Sequence, residues 1–244
     1  MDPLDFTGRG VVVTGGTRGI GAAIASAFLA AGARVLVCGR HQPLSPGKAE
    51  YFEADVRDPA QAAALVEAAV DRFGRLDVVV NNAGGAPPVP AATASPRLHT
   101  KVVELNLIAP LHVSQAANAV MQAQPGGGLI LMVGSVSGTR PSPGSAAYGA
   151  AKAGLHHLAT SLAAEWAPAV RVNSVVPGPV GGAGLDPGAV ARTVPLGRPA
   201  TPEEVAGVCL LLASPLASYV SGAAVAVHGG GEWPGYLPDL RNRA

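Results

Sequence analysis

The chain has 244 residues, 48% of them hydrophobic and 14% charged; that is the length of one large domain with apolar side chains enough to fill its core, and it excludes a disordered or acidic-tail protein. Its 17 basic and 16 acidic residues leave a net charge of +1, so no basic field exists to gather nucleic acid or anionic lipid.

The opening MDPLDFTGRG carries two aspartates and no apolar run, which argues against a signal peptide. Short β-branched runs at 11–14, 34–38, 49–54, 76–81, 128–135, 170–176 and 223–227 predict strands. Ala-rich stretches near 19–32, 59–73, 99–123, 146–167 and 202–213 repeat apolar residues at helical spacing and predict helices. The last opens with Thr201-Pro202-Glu203-Glu204, a capping box with proline at the first helical position. Continuously apolar strands alternating with helices predict a single α/β domain over 1–244, a doubly wound parallel sheet covered on both faces. The longest strongly apolar stretch, 205–213, is too short to span a bilayer, so no membrane partner is expected. Cys38 and Cys209 sit inside apolar runs without CxxC spacing and read as buried free thiols of a soluble cytoplasmic protein. The Gly/Pro-rich segments 83–96, 138–145 and 177–188 each follow a predicted strand, at the edge where open α/β sheets bind ligands.

The first strand runs into Thr14-Gly15-Gly16-Thr17-Arg18-Gly19-Ile20-Gly21 and then a helix. Glycines there let the backbone approach a pyrophosphate seated on a positive helix N-terminus. Gly15, Thr17, Arg18, Gly19, Ile20 and Gly21 are therefore candidate contacts of a dinucleotide in a Rossmann fold. Such a site ordinarily has an acid after the second strand for the ribose 2′-hydroxyl; here the chain reads Cys38-Gly39-Arg40-His41. Arg40, with Arg18, can clamp a 2′-phosphate, which favours NADP(H) over NAD(H); the alternative is a solvated pair of surface arginines. Asp55 and Val56, ending the third strand, stand where an adenine edge would lie. Asn82, Ala83 and Gly84, after the fourth strand, form a small-residue turn that can lie against the nucleotide.

Tyr148 and Lys152 are i and i+4 on a predicted helix and project from one face. A phenol titrates near pH ~10 and is a poor base at neutral pH, but a nearby ammonium stabilises phenolate. Ser135, ending the preceding strand, can polarise a carbonyl; alone it would read as a turn serine.

These pieces together, TGxxxGIG at 14–21, NNAG at 81–84, Asn106 in ELNL, Ser135, YxxxK at Tyr148 and Lys152, and Pro177-Gly178, resemble the short-chain dehydrogenase/reductase family from about residue 6 to 231. The resemblance implies a seven-stranded sheet in the order 3-2-1-4-5-6-7 and a homotetramer. It implies Tyr148 as catalytic acid/base, Ser135 as the group orienting the substrate oxygen, Lys152 as phenol tuner and ribose binder, and Asn106 as holder of a relay water. Tyr148, Lys152, Pro177, Gly178 and Val180 join the cofactor contacts on the same ground. The expected activity is NADP(H)-dependent interconversion of a ketone and a secondary alcohol in a small molecule, under a substrate loop at 179–195 and with a C-terminal tail at 232–244.

Two alternatives stay open. A 3-oxoacyl-acyl-carrier-protein reductase is the nearer one, although no Lys or Arg lies between Lys101 and Arg140 to dock an acidic carrier. A non-catalytic dinucleotide-binding regulator on the same fold is the other. The run Pro179-Val180-Gly181-Gly182 lacks a threonine common in similar enzymes, and His228 stands where they usually carry aspartate; it reads as a structural variant near an oligomer contact. The pair His156-His157 has no further ligands at metal spacing, so no metal is expected and the pair reads as helix surface or interface.

Overall fold

The computed structural model describes residues 2–42, 48–182 and 185–232. Seven parallel strands form one sheet in the order β3-β2-β1-β4-β5-β6-β7. They are β1 (Gly10–Thr14), β2 (Arg34–Gly39), β3 (Glu50–Glu53), β4 (Val78–Asn81), β5 (Gly128–Val133), β6 (Val170–Pro177) and β7 (Ala224–Val227). The helices are α1 (Gly19–Ala30), α2 (Pro59–Phe73), α3 (Pro96–Val103), α4 (Ala109–Ala123), α5 (Ala146–Trp166), α6 (Pro187–Thr193) and α7 (Pro202–Ala213). The doubly wound sheet and its order are as the sequence led us to expect.

Alternation along β1 divides the core. Val11 and Val13 pack with Ile24 and Phe28 of α1 and Val205 and Cys209 of α7. Val12 packs on the other face with Leu65 of α2, Val113 and Met121 of α4, and Leu155 of α5. The central strands β1 and β4 are buried throughout, whereas the outer strands β3 and β7 alternate with solvent. Asp77 ties β1 to β4 beneath the sheet, accepting from the Gly10 amide at 2.9 Å, Arg9 Nη1 at 2.7 Å and Arg75 Nε at 2.7 Å. Among the described residues no helix is long and apolar enough to cross a membrane.

The expected helix near 99–123 is two helices. It starts earlier, behind Ser95, whose hydroxyl accepts from the Leu98 amide, and Pro96. A π-helical turn, Glu104–Ile108, then separates α3 from α4. Pro110 has no amide to give the Asn106 carbonyl four residues back, and the Asn106 side chain takes the Val102 carbonyl at 2.9 Å. The expected loop 179–195 also contains more structure: Asp186 caps α6 by accepting from the Gly188 amide, and Val190 and Val194 are buried. Residues 183–184 of that loop, and the tail from 233 on, lie outside the described residues. At α7 the capping box forms as expected, with Thr201 and Glu204 exchanging side-chain-to-amide hydrogen bonds.

Candidate active site

A cleft of about 880 Å³ opens at the carboxyl ends of β1, β2, β4, β5 and β6. Every expected cofactor contact lines it, from the glycine turn through Arg40, Asp55, Val56 and the 82–84 turn to Tyr148, Lys152, Pro177, Gly178 and Val180, and so does Ser135. Asn106 does not.

The glycine turn is built from outside itself. The Asn82 amide group donates to the Thr14 and Gly15 carbonyls at 3.0 and 3.1 Å, and the Thr14 hydroxyl accepts from the Asn82 and Ala83 amides. Gly21 has to be glycine, since a Cβ there would stand 2.4 Å from Asn82 Nδ2 and from the Gly15 carbonyl oxygen. Asn82 thus shapes the turn with its side chain. Gly19 is different: it holds φ +53°, and nothing lies within 4 Å of where a Cβ would be. Helix α1 begins there with no side-chain cap and no acid in its first turn. Bare backbone and unsatisfied N–H groups facing an open cleft fit the pyrophosphate of a dinucleotide.

Arg18 and Arg40 are exposed at the rim and join no ion pair among the described residues. Asp55 does. Arg57, which sequence reasoning passed over, donates from Nε to its carboxylate at 2.9 Å, and lines the cleft beside it. These hydrogen bonds hold the Asp55 carboxyl below the ordinary range despite burial, and the Arg40 charge adds to the effect. The signal was present in the chain, an arginine two residues past the acid. Cys38 is buried next to the glycine turn, its thiol pushed up to about 12 by desolvation, and Cys209 is raised as far for the same reason. Both are buried free cysteines, as expected.

Across the cleft, α5 presents Tyr148 and Lys152. Lys152 is buried, and its Nζ donates to the Val133 carbonyl at 2.7 Å. Desolvation lowers its ammonium to about 8. Tyr148 moves the opposite way: burial raises the phenol above its ordinary value of 10, with the Ser135 hydroxyl pulling weakly downward. Lys152 Nζ stands 5.7 Å from the centre of the Tyr148 ring, and burial is the larger influence on the phenol. Ser135 Oγ accepts from the Ser137 amide at 3.1 Å and keeps a proton to donate, which it directs at the Tyr148 phenol.

Asn106 is fully buried behind the 84–85 turn. Its Oδ1 accepts from the Gly85 amide and its Nδ2 donates to the Gly85 and Val102 carbonyls, each at 2.9 Å. A Cβ on Gly84 would stand 2.7 Å from Asn106 Oδ1 and 3.3 Å from Lys152 Nζ, which shows how closely the turn, the π segment and α5 meet. His228 packs behind the cleft wall, where a Cβ on Gly178 would come within 2.9 Å of its own Cβ. Of the histidine pair, His157 is exposed as expected; His156 is half-buried and turned toward Ser135. No cluster of three metal-ligating side chains exists among the described residues.

Residues 15–232 match the protein family described as enoyl-(acyl carrier protein) reductase. The chain is 37% identical over 237 residues to the 3alpha-hydroxysteroid dehydrogenase of Mediterraneibacter gnavus, spanning 89% of this chain and 94% of that one. It is 34% identical over 247 residues to a tropinone reductase homolog of Arabidopsis thaliana, spanning 92% of each. The aldohexose dehydrogenase of Thermoplasma acidophilum superposes with a TM-score of 0.86 at 28% identity, covering 93% of this chain and 94% of that chain.

Proposed function

Because the chain belongs to the short-chain dehydrogenase/reductase family of oxidoreductases, we propose that it is an NADP(H)-dependent enzyme interconverting a ketone and a secondary alcohol of a small molecule. The reading rests on one observation: Ser135, Tyr148 and Lys152 face the same cleft as the bare glycine turn at the head of α1. When bound, the nicotinamide supplies or accepts a hydride at the carbonyl carbon. The protein moves the proton. Burial keeps the Tyr148 phenol protonated at neutral pH, ready to donate to the substrate oxygen during reduction. Ser135, whose Oγ accepts from the Ser137 amide, donates its hydroxyl proton to the same oxygen and orients it. Lys152 places a positive charge beside the phenolate that proton transfer leaves behind, and its position beside Gly84 suits a ribose hydroxyl. Asn106 acts by holding the Gly85 turn and the π segment in place.

Arg18 and Arg40, unpaired at the rim, would hold the 2′-phosphate, and Gly39 offers nothing to repel it. A homotetramer is the assembly we propose, with α4 and α5 at the contacts; a monomer by light scattering at micromolar concentration would sink that part. Two buried free thiols suit a reducing, cytoplasmic setting.

The test follows NADPH and NADH absorbance across ketones, diketones, quinones, steroids and acyl thioesters. Turnover of a ketone with NADPH supports the reading. Turnover confined to acyl thioesters on a carrier selects the carrier-linked reductase. Tight cofactor binding with no turnover of any class selects the non-catalytic regulator.

A further inference from the structure

Tyr148, Lys152 and His156 recur at i, i+4 and i+8 along α5 and so share one stripe of the helix. The first two reach the cleft; the third reaches behind it. The Ser135 amide donates to His156 Nε2 at 3.4 Å. The ring is wedged against the end of β5 and the turn beyond. A Cβ on Gly134 would lie 2.1 Å from His156 Nε2, and one on Gly138 would lie 3.0 Å from its Cε1. Helix α5 therefore grips the chain on both sides of Gly134, with Lys152 on the Val133 carbonyl and His156 on the Ser135 amide. Within its own turn, Ser135 Oγ accepts from the Ser137 amide and its carbonyl from the Gly138 amide. Among the described residues, His156 is the one side chain that hydrogen-bonds the Ser135 backbone.

Resting on the function proposed above, we infer that His156 is a positioning residue for the reaction: its imidazole accepts from the Ser135 amide and so fixes the Ser135 hydroxyl at the substrate oxygen. Only an imidazole with its proton on Nδ1 has a lone pair at Nε2 to offer. Protonation sets two N–H donors face to face, and the turn has to shift. The group that charges this environment is Lys152, one turn away on α5; β5 and the turn contribute Gly134, Ser135 and Gly138, and β6 the Val175 carbonyl, none of which titrates. Burial, and then the Lys152 charge, hold the imidazole below its ordinary 6.5. The acceptor is therefore in place at neutral pH and is lost in mild acid.

The experiment combines kinetics with nitrogen NMR of the ligand-free protein. In the wild type, the Ser135 amide resonance should titrate with the His156 ring, at a midpoint below 6.5. The acid limb of kcat should follow the same midpoint. His156→Leu, which fills the space without an acceptor, should lower kcat about tenfold or more, within the ~10²-fold that a misplacement of about 1 Å can cost, and leave cofactor affinity unchanged. His156→Gln keeps an acceptor that does not titrate, so it should retain most of kcat and flatten the acid limb. In a Ser135→Ala background, His156→Leu should cost nothing further, because the residue it acts through is gone. A Ser135 amide indifferent to His156, an unchanged limb in His156→Gln, or an equal loss from His156→Leu in both backgrounds overturns the inference. Failure of the underlying function looks different: Tyr148→Phe would keep full activity while the amide titration persisted, and the catalytic consequence assigned to His156 would fall with it.

Discussion

Lys152 Nζ lies 2.7 Å from the Val133 carbonyl oxygen and 5.7 Å from the centre of the Tyr148 ring. The ammonium is anchored to the end of β5, one helical turn from the phenol. This arrangement places a cation in the interior with one backbone acceptor, a costly choice unless function requires it.

Lys152→Met should make the protein more stable and less active. Desolvation takes the ammonium from 10.5 to about 8, a difference worth roughly 3 kcal/mol at about 1.36 kcal/mol per unit, less what the lost hydrogen bond returns. The folded state binds fewer protons than the unfolded one between those two values, so the wild type gains stability as pH rises from about 8 toward 10.5. The melting temperature of Lys152→Met should exceed that of the wild type at pH ~7 by several degrees, at about 2–4 °C per kcal/mol. The gap should close in alkaline buffer. A variant less stable than wild type at neutral pH would show that the Val133 hydrogen bond outweighs desolvation.

Tyr148→Phe removes one hydroxyl and no packing. It should lower kcat by ~10²–10⁴-fold, the usual contribution of a positioned acid or base, while thermal stability and cofactor affinity stay near wild type. Single-turnover absorbance with a substrate found in the ketone panel checks it; more than half the activity remaining would remove Tyr148 from the chemistry.

Cofactor choice should turn on Arg40. Each charge-assisted hydrogen bond is worth roughly 1.5–3 kcal/mol, so Arg40→Ala should weaken NADPH by about tenfold or more and leave NADH nearly unchanged. Gly39→Asp should shift preference toward NADH, and the fold has room for it, since a Cβ at Gly39 meets nothing closer than 3.7 Å. Fluorescence titration of both reduced cofactors decides. Equal binding of the two by the wild type would mean the rim arginines face only solvent.

Asp77 should be a stability residue with no part in turnover. Burial pushes its carboxyl up, but the Arg75 and Arg9 guanidiniums and the Gly10 amide together outweigh it and hold the group below 3.8. Its contribution is therefore complete above the ordinary carboxylate range and is lost as pH falls through the lowered value. Asp77→Ala should cost about 2–3 kcal/mol, discounted because both arginines are partly solvated. Urea unfolding at pH ~7 and in acid measures this, and the deficit of the variant should shrink at low pH.

The glycine turn, the Tyr148-Lys152 pair and the α7 capping box were legible in the chain because each is a local pattern, complete within a few residues and governed by backbone conformation or helical spacing. The alternation of apolar strands with helices announced the parallel sheet for the same reason. Its strand order came from the resemblance of the motifs, since periodicity says nothing about which strands are neighbours. Helix α6 was hidden by the glycines and prolines around it, although Asp186-Pro187 is a helix start. The π-helical turn was written in Pro110, whose missing amide disturbs the helix at Asn106, but the repeat of apolar residues runs through it unbroken.

What only the tertiary structure decided are the pairings between distant segments and the protonation states that follow from them. His156 faces Ser135 rather than solvent because α5 lies across the end of β5, and Asn82 braces the glycine turn because β4 lies beside β1. Tyr148 is raised because burial acts on the phenol more strongly than the Ser135 hydroxyl does. Residue type and spacing establish which chemical groups are present and which share a face; desolvation depends on everything packed around a group, and that exists only once the chain has folded.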